Sequence, residues 1–165
     1  MHATAENFQA VVDLPIGPVG ISMRQGRLTG VEYLDSADET FRRDVPGLAQ
    51  VLAQIEGYFE DARSDLALDL ELQGSPFQRR VWQALRAIPA GRALTYGELA
   101  LRIGSGARAV GNACRANPCP LVVPCHRVVA VNGLGGYGGG LPIKRLLLGI
   151  EGVTSADVKA AGRAG

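Results

Sequence analysis

Apolar residues follow two rhythms along the 165-residue chain. From Phe8 to Leu34 they gather in three short runs, Phe8–Leu14, Val19–Arg24 and Leu28–Leu34, separated by Pro15-Ile16-Gly17-Pro18 and by Gln25-Gly26. Short apolar runs bounded by turn residues predict a meander of two or three antiparallel strands. Between Pro46 and Asp61 the spacing changes, and Leu48, Val51, Leu52, Ile55 and Phe59 fall on one helical face. Leu66, Leu68, Leu70 and Leu72 then alternate with other residues in the manner of a strand. An α+β domain over residues 1–73 is expected.

Beyond Gly74 the pattern is helical and its start signals are explicit. Ser75-Pro76-Phe77-Gln78 combines an N-cap serine, proline in the first turn and a capping-box glutamine, ahead of Val81, Trp82, Leu85 and Ile88 on one face. Pro89 closes that helix. Thr95-Tyr96-Gly97-Glu98 opens a second, which stops at Gly104, and residues 107–117 form a third after the turn Gly104-Ser105-Gly106. Two short helices joined by a glycine turn predict a helix-turn-helix. A mostly helical domain over 74–152 and a tail over 153–165 complete the α+β organisation. No apolar stretch of about 18 residues and no secretory signal is visible, so a cytoplasmic protein without a membrane span is expected.

Charge separates the two domains more sharply than the net +1 suggests. Residues 1–73 carry 5 Lys/Arg against 13 Asp/Glu, whereas residues 74–152 carry 10 against 2. So basic a second half predicts a polyanionic partner. On the third helix Arg108, Asn112 and Arg115 share a face by spacing, with Val110, Ala113, Cys114 and Asn117 on the other side. Its alanines and Gly111 keep it slim enough to approach a nucleic-acid backbone, or equally to pack closely on neighbours. The charge balance favours the first.

The chemistry concentrates in Leu121–Ala130, an apolar run that reads as a buried strand yet contains Cys125-His126-Arg127. A cysteine attacks as thiolate and needs a cation, a helix N-terminus or a base to ionise near neutral pH. His126 and Arg127 are adjacent, but neighbours on a strand point to opposite faces, so His126 reaches the thiol only through a turn or a bridging water. Zinc is disfavoured, because the spacing of Cys114, Cys119 and Cys125 does not match paired structural ligands; no metal or other cofactor is expected. The odd, clustered cysteines also make a poor disulfide framework. Asn132–Gly140 is a glycine-rich loop without the Gly-Lys-Ser/Thr of a P-loop, fit to form a backbone wall around a flat ligand. The helix Pro142–Ile150 leads to Glu151, an acid able to orient an imidazole.

These residues together resemble the O6-alkylguanine-DNA alkyltransferase family, also called methylated-DNA–protein-cysteine methyltransferases. The resemblance rests on Pro124-Cys125-His126-Arg127-Val128-Val129, with Thr95–Ala100, Arg108–Gly111, Arg115–Pro118, Gly136–Gly140 and Glu151-Gly152 in order around it. It is strong over 75–152 and weak before, through Asp13–Val19. It implies an N-terminal ribonuclease-H-like domain without that activity, and a C-terminal domain acting as a monomer on double-stranded DNA through the minor groove. Cys125 would accept the alkyl group irreversibly from O6-alkylguanine, and from O4-alkylthymine, after the nucleotide flips. His126, acting through a water, would be the base, Glu151 would hold His126, and Asn117 would brace the turn. Arg108 would fill the gap in the duplex and Tyr96 would crowd a phosphate and touch the base, with Arg115 and Asn112 also on DNA. Val128, Tyr137, Gly138 and Cys114 would surround the base. The sequence departs from the family where Cys114 and Cys119 replace apolar residues, and where Gly138 replaces a serine found in some members. A non-catalytic protein that marks alkylated DNA for other repair factors is the alternative; relatives of that kind lack the acceptor cysteine.

Overall fold

A computed structural model describes residues 5–64 and 66–164. Packing divides them into two units: one comprises the chain through Gln73 together with Pro118–Val122, the other Gly74–Asn117 and the chain from Val123 onward. The segment 118–122 therefore belongs with the first unit, although in sequence it lies within the second.

The first unit is a four-stranded antiparallel sheet and one helix. Strands β1 (Ala10–Leu14), β2 (Gly17–Arg24), β3 (Arg27–Tyr33) and β4 (Phe41–Arg42) are ordered β3-β2-β1-β4. Val12 pairs with Val19 and Ile21 with Val31, which aligns apolar partners on the face that is buried. Helix α1 (Leu48–Glu60) buries Leu48, Val51, Leu52 and Ile55 as the spacing predicts, but Tyr58 rather than Phe59 completes the face. The strand expected over Leu66–Leu72 does not form. Leu70 forms an isolated bridge with Leu28, beside the backbone bonds Leu28 N–H to Asp69 O and Glu71 N–H to Leu28 O, and no strand is assigned over the segment among the described residues. The alternating leucines cover part of the core, with Leu68 alone fully buried among them. Strand β4 follows no legible pattern because it is two residues long. In the 118–122 segment Pro118 O accepts from Val31 N–H at 3.0 Å.

The second unit contains α2 (Pro76–Arg86), β5 (Leu94–Thr95), α3 (Tyr96–Ile103), α4 (Ala107–Arg115), β6 (Val128–Val129), α5 (Leu141–Ile150) and α6 (Ser155–Ala164). The Ser75 capping box is complete: its hydroxyl accepts from Gln78 N–H at 3.1 Å, and the Gln78 side chain accepts from Ser75 N–H at 2.9 Å. At the start of α3, Thr95 Oγ1 accepts from Glu98 N–H at 3.1 Å, while the Glu98 carboxylate takes the Thr95 hydroxyl instead of its backbone N–H. Gly104 ends α3 in the left-handed region at φ 69°, a conformation that favours glycine. Val81, Trp82, Leu85 and Ile88 form the buried face of α2 and the turn after it, and Trp82 Nε1–H donates to Ala113 O at 2.8 Å, tying α2 to α4. Residues 153–164 are more than a tail. Val153 and Val158 pack with Val129 and Leu148 in one apolar cluster, which holds α6 in place.

Leu121–Ala130 is buried through Val129 but is not one strand. Leu121 sits at φ 76°, Pro124 withholds a backbone donor, and Cys125–Arg127 coil into a 3-10 turn before the two residues of β6 pair in parallel with β5. The turn removes the obstacle that strand geometry would set between neighbouring side chains. No helix among the described residues is long and apolar enough to cross a membrane.

Candidate active site

Cys125 opens the 3-10 turn and is 7% exposed. Its N–H donates to Val123 O at 2.8 Å, and Arg127 N–H donates to Pro124 O at 3.0 Å. Asn117, just beyond α4, donates from Nδ2 to Val123 O at 2.9 Å and to the Cys125 sulfur at 3.2 Å. One amide thus fixes both the bend and the thiol. Burial pushes the Cys125 thiol above its ordinary pKa, while the Asn117 bond and the Lys144 ammonium oppose that shift. The resting group is a thiol, and its ionisation has to be coupled to a base.

His126 is fully buried, and its Nε2 lies 2.8 Å from Glu151 Oε1. Burial would raise the Glu151 pKa, but the bonds from His126 and Arg127 prevail and hold it at about 2. The carboxylate is therefore ionised and can only accept, so Nε2 carries the hydrogen. Burial lowers the His126 pKa despite Glu151, which leaves the ring neutral and Nδ1 as a lone-pair acceptor. That Nδ1 is buried and has no hydrogen-bond partner among the described residues. The tautomer follows from Glu151, and it is the one a general base needs.

Arg127, read in the sequence only as a cation adjacent to Cys125, completes the arrangement through Glu151. Its Nε lies 3.1 Å from both Glu151 oxygens, Nη2 donates to Oε1 at 2.7 Å, and Nη1 donates to Ile88 O at 2.6 Å. A buried Arg–Glu–His set of this kind keeps the negative charge on Glu151 rather than letting it take a proton from the ring. Lys144 was missed; it is fully buried on α5, and a signal existed, since Lys144, Leu147 and Leu148 share one face by spacing.

A cavity of about 560 Å³ opens beside the thiol. Tyr96, Arg108, Cys114, Arg115, Tyr137 and Gly138 line it together with Cys125, so six further sequence-derived residues converge there. Cys114 faces the cavity instead of the packed side of α4, and burial pushes its thiol up to about 12. Asn112 is exposed on α4, accepts from Arg115 and is not among the lining residues. Val128 is buried and does not line the cavity; its carbonyl accepts from Lys144 Nζ at 2.8 Å. The glycine loop forms one wall. At Gly135 (φ 74°) a Cβ would lie 3.2 Å from Ala130 N and from the Tyr96 ring, so the close approach needs glycine. Among the described residues no group of three or more His, Cys, Asp or Glu side chains could hold a metal ion.

Loss of the Asn117 amide leaves the sulfur without its donor and the turn without its brace. Asn117→Ala is expected to slow carboxamidomethylation of Cys125 by iodoacetamide at pH 8 by about 10-fold to 100-fold, since a lost hydrogen bond to a charged group is worth about 1.5–3 kcal/mol. An unchanged rate, read by intact mass over time, would remove Asn117 from the activation of the thiol.

The fold and the site define a mixed α/β protein in which a buried cysteine, held by an asparagine amide and next in sequence to an imidazole–carboxylate pair, lines an arginine-flanked cavity. Comparison with known proteins specifies the kind. Residues 76–153 match the family described as "6-O-methylguanine DNA methyltransferase, DNA binding domain". The methylated-DNA–protein-cysteine methyltransferase of Mycolicibacterium paratuberculosis is 43% identical over 147 residues, covering 85% of this chain and 89% of the relative. The constitutive one of Bacillus subtilis is 36% identical over 88% of this chain and 95% of its own length. The crystal structure of Mycobacterium tuberculosis OGT in complex with DNA superposes with a TM-score of 0.75 at 40% identity, covering 90% of this chain and 96% of that one. The chain belongs to the methylated-DNA–protein-cysteine methyltransferase family.

Proposed function

We propose that this protein repairs DNA by direct reversal, moving the alkyl group of O6-alkylguanine, and of O4-alkylthymine, onto Cys125 in a single irreversible event. The observation that carries the reading is the Cys125 thiol, bound by Asn117 and flanked by the His126–Glu151 pair, at the edge of a cavity large enough for a base. As His126 Nδ1 takes the thiol proton through a water, the sulfur attacks the alkyl carbon. A carbon–sulfur bond forms and the carbon–O6 bond breaks with its electron pair going to the base; the guanine, restored within its strand, takes up one proton through water, equal to the one the thiol gave and the imidazolium afterwards returns. The imidazolium so formed is stabilised by Glu151. The thioether product has no route back to thiol by hydrolysis, which is why one protein acts once.

DNA is the partner that the OGT–DNA complex and the matched DNA-binding family support. In this reading α3 and α4 act as a helix-turn-helix entering the minor groove of duplex DNA, and Arg108 takes the place of a flipped nucleotide. Tyr96 and Arg115 meet the backbone and the base at the cavity mouth, and Asn112 extends the same exposed face. Tyr137, Gly138 and Cys114 bound the base, with the Val128 backbone behind them. The first unit serves as a ribonuclease-H-like scaffold. The protein works as a monomer, and its three cysteines, none of them in a disulfide, suit the cytoplasm.

Two experiments test this. With excess duplex carrying O6-methylguanine, repaired base is expected to plateau at one equivalent per protein; continued turnover would contradict the single event. Arg108→Ala is expected to slow repair in duplex by about 10-fold to 100-fold, the scale of a few kcal/mol of base unstacking. It should leave reaction with free O6-benzylguanine within roughly threefold, because that substrate needs no flipping. Equal losses on both would contradict the role of Arg108.

A further inference from the structure

We propose that Lys144 is a positioning residue for the base-binding wall, acting through the carbonyls of Val128, Leu134 and Gly136. The proposal rests on the assignment of the cavity to a base. Lys144 is fully buried, and its Nζ donates to Val128 O at 2.8 Å, Leu134 O at 2.5 Å and Gly136 O at 3.1 Å. An ammonium has three hydrogens, and three carbonyls take them, so none remains for a substrate. The three acceptors lie in places that have to agree. Val128 follows the turn that carries Cys125, and Leu134 and Gly136 flank Gly135 in the glycine loop that walls the cavity.

Leu134 also packs against the apolar cluster of Val129 and Leu148, which seats that part of the loop without setting its carbonyls. Gly133 N–H reaches Ala130 O at 3.4 Å, Gly140 N–H reaches Tyr137 O at 3.0 Å, and the Tyr96 hydroxyl reaches Gly136 O only at 3.5 Å. Lys144 is thus the strut between the loop and the thiol-bearing turn, supplied from α5 by a single side chain. Burying an ammonium is costly unless its hydrogens are taken, and here the cost secures the spacing between the nucleophile and the wall opposite it. Burial lowers the Lys144 pKa to about 8, so the ammonium persists at neutral pH while the carbonyls hold it.

The test compares two reagents that share the thiol but not the wall. O6-benzylguanine has to be seated, whereas iodoacetamide needs only the sulfur. Second-order rate constants for both are measured by intact mass on the full-length protein, beside thermal melting. In Lys144→Met the benzylguanine rate is expected to fall about 10-fold to 100-fold further than the iodoacetamide rate, the scale by which a misplaced ligand slows a positioned reaction. Parallel losses, or no loss, would overturn the positioning role. If K144M does not fold, the benzylguanine-to-iodoacetamide rate ratio is measured in Lys144→Arg instead; the wider guanidinium is expected to lower that ratio several-fold, and a ratio unchanged from wild type would overturn the proposal. Failure of the wild-type protein to react with O6-benzylguanine while reacting with iodoacetamide would instead overturn the reading of the cavity.

Discussion

Cys125→Ser is expected to abolish alkyl uptake while leaving the fold and duplex binding in place. A serine hydroxyl ionises far less readily than a thiol and is a poorer nucleophile toward an alkyl carbon, so the rate should drop by on the order of 10⁴-fold or more, to background. Stability should change by less than about 1 kcal/mol, because the replacement is small and the Asn117 amide, 3.2 Å from the sulfur, can donate to an oxygen there. Affinity for duplex DNA should hold within a few-fold, since Cys125 is buried and the basic side chains are untouched. Mass spectrometry, thermal melting and fluorescence anisotropy read the three quantities. Alkyl uptake surviving in the variant would reveal a second acceptor, and Cys114, in the same cavity, would be the thiol to examine.

Glu151→Gln is expected to damage both chemistry and stability. The amide carries no charge to hold the His126 tautomer or to stabilise its cation, and removing such an orienting carboxylate costs transfer about 10²-fold to 10⁴-fold. It also leaves the buried Arg127 guanidinium without its counter-charge, a loss on the scale of 3–5 kcal/mol. The same residue sets the response to acid. Glu151 titrates at about 2 in the native protein against an ordinary 4.5, so its contribution is fully present above about pH 4.5 and fades as pH falls toward 2. His126, held below its ordinary 6.5, is neutral when folded and charged when unfolded, so it too removes stability as pH falls below about 6.5. Both slopes have one sign. Urea midpoints between pH 7 and pH 3 should decline in the wild type and decline less steeply in E151Q; parallel curves would show that the carboxylate is not the acid-sensitive group.

What the sequence made legible was local. The cap of α2 and the N-cap and glycine stop of α3 lie within a few residues of their partners, and they stand where Ser75-Pro76-Phe77-Gln78, Thr95 and Gly104 place them. Two apolar runs misled for opposite reasons. Leu66–Leu72 alternates like a strand but meets a partner only at Leu70, and Leu121–Ala130 is buried like a strand yet is bent by Leu121 and Pro124. In the site, Cys125, His126, Glu151 and Asn117 were recognisable as a motif. The companions that hold them were not, because Arg127 meets Glu151 across 24 residues and Lys144 meets Val128 across 16. A cation inside an apolar pattern is a hint in each case, but its acceptors are backbone carbonyls and a distant acid that no spacing rule announces.

The central claim, that Cys125 accepts an alkyl group from the O6 position of guanine, is tested most directly by incubating the wild-type protein with O6-benzylguanine and reading intact mass, followed by peptide mapping. One benzyl group per chain, located on Cys125, with release of one guanine, is the predicted result. An unmodified mass, or a benzyl group on any other residue, would contradict it.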